Sequence, residues 1–89
     1  MAVYVVNHTV ANYEEWKKAY DAFQASAQSA GINDQYVLTS LSDRNHVVVV
    51  GEGSAEVLQA FLASDELKSA MEAAGVTSMP DIFVGENNI

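Results

Sequence analysis

The chain contains no cysteine. Disulfides, thiolate metal sites, iron–sulfur clusters and a cysteine nucleophile are therefore excluded, and the composition suits a reducing compartment such as the cytoplasm. Proline occurs once and glycine five times in 89 residues, too few for a linker or a low-complexity segment. Basic residues are scarce: 4 against 12 acidic, for a formal net charge of −8. Nucleic acid and anionic membrane surfaces repel such a chain, so neither is an expected partner. No apolar run is long enough to span a bilayer, and the start has no basic region typical of a secretion signal. The Asn7-His8-Thr9 triplet spells a glycosylation sequon but carries little weight without that signal.

What is present is 49% hydrophobic residues with 18% charged, the composition of a folded chain. At 9.6 kDa, residues 1–89 read as a single domain with a thin core. Val3 to Val10 reads as a strand rich in Val, Tyr and Thr. Asn12 has the chemistry of an N-cap, with Glu15 placed to complete a capping box. Trp16, Tyr20, Phe23, Ala27 and Ala30 then step by four and three, the spacing of one helical stripe, and Gly31 suits its end. A second strand is expected over Gln35–Leu41, a polar turn at Ser42–Asn45, and a third strand over His46–Val50. Ser54 opens a helix carrying Val57, Leu58, Phe61 and Leu62. Ser64-Asp65-Glu66 is a second cap, so the helix is expected to break and restart toward Leu67, Ala70 and Met71 before Gly75. Asp81–Val84 closes the series as a strand.

The order β-α-β-β-α-β, repeated as two β-α-β halves, is the ferredoxin-like plan of the α+β class. It predicts a four-stranded antiparallel sheet with its helices on one face. Such a sheet with one wet face should alternate apolar and polar residues. These strands do not: Val47 to Val50 place valine on both faces, as do Val3 to Val6. The face without helices would expose an apolar patch on the order of several hundred Å², and a second copy of the chain is the simplest cover.

The segment His8-Thr9-Val10-Ala11-Asn12-Tyr13-Glu14-Glu15-Trp16 resembles the H-x-V-x-[DN]-Y-x-x-W opening of small dimeric α/β-barrel proteins. The stretches Leu67-Lys68-Ser69-Ala70-Met71, Ala74-Gly75-Val76 and Met79-Pro80 carry the same likeness, so it runs from about Val3 to Val84. The chain is similar to the antibiotic-biosynthesis-monooxygenase-like superfamily, and within it to short members that mostly lack an assigned activity. That resemblance implies a homodimer whose two sheets face each other as a barrel, with a cavity between sheet and helices in each subunit. Its members include cofactor-independent quinone-forming monooxygenases, haem-degrading enzymes, isomerases and proteins without known catalysis.

His8 is the first candidate for chemistry. In strand register with Tyr4, Val6 and Val10, near Trp16 and Tyr20, it could serve as a general base on a phenolic or enolic ligand. The simpler reading is a half-buried histidine that holds the strand-to-helix corner. Trp16 and Tyr20, with Tyr13 and His46, are candidate pocket residues for a small hydrophobic or aromatic molecule; aromatics at helical spacing are otherwise core. No H-x-H or H-E-x-x-H spacing exists, so no metal and no cofactor is expected. Gly51-Glu52-Gly53 lacks the third glycine of a phosphate loop and reads as a flexible strand-to-helix turn. The acids read as a solvated shell on helix surfaces. Against the ligand-binding reading stands a non-catalytic homodimer whose core is filled by its own side chains.

Overall fold

The computed structural model describes residues 1–89. Strand β1 spans Ala2–Thr9, helix α1 Tyr13–Ser29, β2 Asn33–Thr39, β3 His46–Gly53, α2 Ala55–Leu62, α3 Asp65–Ala73 and β4 Asp81–Glu86. The four strands form one sheet in the order β2-β3-β1-β4, every pairing antiparallel. This is the ferredoxin-like α+β arrangement expected from the element order. Leu41 falls outside β2 and is fully exposed, while β3 runs three residues past Val50.

Each helix starts where a small polar side chain can satisfy a free backbone N–H. The Asn12 side-chain oxygen accepts from the Glu15 N–H at 3.1 Å, and Ser54 and Ser64 accept from Val57 and Leu67, each at 3.2 Å. The Ser64 hydroxyl also donates to the Phe61 carbonyl at 2.7 Å, which ties the end of α2 to the start of α3. The reciprocal half of the predicted capping box is not formed, because the Glu15 carboxylate accepts from Lys18 instead. Gly31 and Gly75 have φ of 92° and 82°. Each takes the left-handed turn after a helix that other residues resist. Ile32 and Val76 then donate back to Ala27 and Met71. The apolar stripe of α1 ends at Ala27, and Ala30 is exposed beyond it.

The inner face of the sheet carries Tyr4, Val6 and His8 from β1 and Val47 and Val49 from β3, all buried under the helices. Leu58, Ile32 and Trp16 close the core from the helix side. The outer face is different. Register places Tyr36, Val50, Val5 and Phe83 in one row across all four strands, flanked by Leu38 and Val48. Tyr36 and Phe83 are 59% and 66% exposed, and no element of the chain covers this row.

The antiparallel pairing of β2 with β3 is interrupted between Asp34 and Tyr36. Asp34 pairs with Gly51 and Tyr36 with Val50, leaving Gln35 as the extra residue of a bulge. In a regular strand Asp34, Tyr36 and Leu38 would share a face. The bulge turns Asp34 to the inner face while Tyr36 and Leu38 stay on the outer one.

Gly51, Glu52 and Gly53 belong to β3 and not to a turn, and neither glycine has a positive φ. The reason for glycine at position 51 is space. A Cβ there would collide with the Asp34 carboxylate and lie 2.5 Å from the Tyr4 ring.

The Asn12 cap gives a direct check on the start of α1. Asn12→Ala should destabilise the fold by about 1 kcal/mol in urea denaturation, and Asn12→Asp should be nearly neutral because aspartate also caps. An unchanged midpoint for Asn12→Ala would place the functional start of the helix elsewhere.

Candidate active site

Between the inner face and the helices lies a cavity of about 70 Å³, lined by 17 residues of which 14 are hydrophobic. Where one water needs about 10–15 Å³ and a cavity on the order of 150 Å³ holds benzene, this space holds a few waters, and a ring enters only if lining side chains on its open side move. The cavity follows β1: Tyr4 and His8 both line it, four residues apart. At roughly 3.3 Å per residue their Cα atoms are about 13 Å apart.

One end is built by His8 and Trp16. Their rings meet edge to face at 5.5 Å between centroids, and Trp16 stacks on Tyr20 at 5.0 Å. The Asn12 cap and the helical spacing of Trp16 and Tyr20 hold these rings over the inner face. His8 is 3% exposed, and its Nδ1 is buried with no hydrogen-bond partner. Burial pushes the imidazolium below its ordinary range, against a weaker pull from the Val47 and Val6 backbone. His8 is therefore neutral at neutral pH, the protonation state a proton acceptor requires.

The other end is polar and was not foreseen among the candidate residues. The Asp34 carboxylate accepts hydrogen bonds from the Tyr4 and Tyr20 hydroxyls and, at 3.0 Å, from the Gln24 side-chain amide. Three elements converge here: β1 brings Tyr4, α1 brings Tyr20 and Gln24 one turn apart, and the β2 bulge brings Asp34. Burial, then the bond to Asp34 and its charge, pushes both phenols well above the usual tyrosine range. Asp34 thus departs from the expected solvated shell of acids. The traces it leaves in the sequence are a glycine inside a valine-rich strand and a tyrosine at helical spacing from a glutamine. Neither points to Asp34 without the strand register.

Of the pocket residues expected from sequence, Trp16 and Tyr20 line the cavity. Tyr13 does not. It packs against Trp16 with ring centroids 6.0 Å apart, under the Arg44 guanidinium, and its N–H donates to Asn45. His46 is also absent from the cavity, for a register reason. It pairs with Thr9 and projects to the outer face, where its Nε2 lies 2.7 Å from the Asn7 side-chain oxygen. The two histidines are on opposite faces of one sheet and cannot share a metal ion.

Solved structures of the same shape exist. SnoaB, a cofactor-independent oxygenase from Streptomyces nogalater, is 17% identical over 99% of this chain and 95% of its own, with a TM-score of 0.74. A Nitrosomonas europaea protein provisionally named an antibiotic biosynthesis monooxygenase is 16% identical over 100% of both chains, also at 0.74. A conserved protein from Methanosarcina mazei Go1 is 15% identical over 99% and 94%, at 0.64. At these identities the likeness establishes the fold, which is that of the antibiotic-biosynthesis-monooxygenase-like proteins. The sequence model of a domain of unknown function, DUF3764, matches residues 1–82, and the chain belongs to that family. No curated protein matches it.

The buried imidazole makes stability depend on pH. His8 holds a proton less readily folded than unfolded. As pH falls through about 6.5, the unfolded chain takes up a proton that the folded protein refuses, and stability falls. The slope from this one group is at most about 1.4 kcal/mol per pH unit. Urea midpoints between about pH 7.5 and 5.5, at fixed protein concentration, should drop in the wild type. They should drop less in His8→Asn, and an identical drop in both would show that another group titrates.

Proposed function

We propose that this protein binds a small hydrophobic or aromatic molecule in the cavity between sheet and helices, with His8 as the group able to take a proton from it. The observation that carries this reading is the cavity itself, an apolar space with polar groups at two ends. A scaffold with a filled core would have no such space. A neutral imidazole against an indole edge suits a phenolic or enolic proton, and the chemistry it supports needs no metal at that position.

The cavity reading is tested by occupancy. Toluene should raise the Tm and alter the fluorescence of Trp16, the chain's one tryptophan. Ala70 lines the cavity, so Ala70→Leu should fill part of it, leave the fold intact and suppress both responses. A wild-type protein indifferent to toluene would favour the filled-core scaffold.

The functional unit in this proposal is a homodimer joined through the outer faces of two sheets. The row Tyr36–Val50–Val5–Phe83 spans about 15 Å at 4.8 Å per strand and leaves two large aromatics in water. A two-fold axis through this face would bury the same residues of both copies against each other. Light scattering should give about twice 9.6 kDa. Val5→Asp, a charge at the centre of the row, should yield a monomer. A wild-type monomer at micromolar concentration would overturn this assembly.

A further inference from the structure

We infer that the Asp34 end of the cavity is a recognition site for an ammonium group, so that the ligand is a small apolar amine and not a carboxylate. This rests on the cavity reading above and adds the charge of its occupant.

The first observation is an unneutralised carboxylate. Asp34 is half-buried and holds three hydrogen bonds, all from neutral donors. Carboxylates drawn out of water normally find a cation. None is available here. Of the four basic side chains, Lys17 is bound to Asp21 at 2.6 Å, Lys18 to Glu15 at 3.5 Å and Arg44 to Glu14 at 3.0 Å. Lys68 is exposed on α3. No lysine or arginine lines the cavity, and burial keeps its one histidine neutral.

The second observation is the count of free acceptors. The Tyr4 and Tyr20 hydroxyls spend their protons on Asp34, which leaves each phenol oxygen as an acceptor only. A carboxylate offers about four lone-pair sites, of which three are occupied here. What remains is one carboxylate site and two phenol oxygens around a single negative charge. A primary ammonium has three N–H donors. A carboxylate group placed at this end would meet like charge and find only the Gln24 amide as a donor.

The third observation is the wall. Tyr20, whose hydroxyl bonds Asp34, belongs to this end and stacks on Trp16 toward the other, and aromatic rings attract cations. The Tyr20 ring already attracts one, the Lys17 ammonium 5.7 Å from its centroid. The net charge of −8 draws cations toward the protein and disfavours anions at every stage of approach.

The test uses three probes of one size on the intact wild-type protein: benzylamine, benzyl alcohol and benzoate, followed by Trp16 fluorescence and calorimetry. Benzylamine should bind about tenfold or more tighter than benzyl alcohol at low salt, and benzoate should not bind at about 10 mM. Asp34→Asn should keep benzyl alcohol binding and erase the preference for the amine. Equal binding of amine and alcohol, or tighter binding of benzoate, overturns the ammonium site while the cavity reading stands. No binding by any probe, together with indifference to toluene, overturns both. Should Asp34→Asn fail to fold, the wild-type order of the three probes decides.

Discussion

A β-strand can send successive side chains only to alternate faces, and this sheet has two faces with different tasks. The inner one must pack under helices and line a cavity. The outer one carries a continuous apolar row. Residues 36 and 38 serve the outer face, so strict alternation would send residue 34 there as well. One extra residue, Gln35, breaks the alternation and turns a carboxylate inward. Gly51 on the neighbouring strand leaves the space into which that carboxylate and the Tyr4 ring fit. The polar end of the cavity depends on this pair of features, and so does the tether from α1, since Tyr20 and Gln24 both bond to Asp34.

The two ends of the cavity differ in kind. At the His8 end an imidazole is desolvated, uncharged and short of a partner at Nδ1. Leaving a buried polar atom unpaired costs about 1–3 kcal/mol. At the Asp34 end the hydrogen bonds are satisfied and the charge is not. The aromatic line from His8 through Trp16 to Tyr20 connects them. The proposed roles of the two ends, proton acceptor and cation site, follow from that difference.

Much of this was open to reading before any coordinates. Local chemistry marks the helices: Asn12, Ser54 and Ser64 each cap as their spacing implies, and Gly31 and Gly75 each close a helix. The alternation of Tyr4, Val6 and His8 against Val3, Val5 and Asn7 separates the two faces of β1, and valines on both faces of β3 forecast the uncovered one. The Trp16 and Tyr20 stripe places two of the cavity's rings. His46 falls on the face away from the cavity, and nothing local in the sequence says which face a residue at the start of a strand serves. That parity is set by pairing with Thr9, a partner 37 positions away.

The sequence by itself therefore determined the elements, their order and the sidedness of the first strand, because caps, turns and apolar periodicity act over a few neighbouring residues; the parity of the third strand, valine on both faces, came only from its pairing with the first. Only the tertiary structure decided the Asp34 site. A bulge shifts parity by one residue without leaving a local motif, and a glycine kept for space looks like any other glycine in the chain. A carboxylate that gathers donors from β1 and α1 across 10 and 30 positions becomes visible only when those elements are packed together.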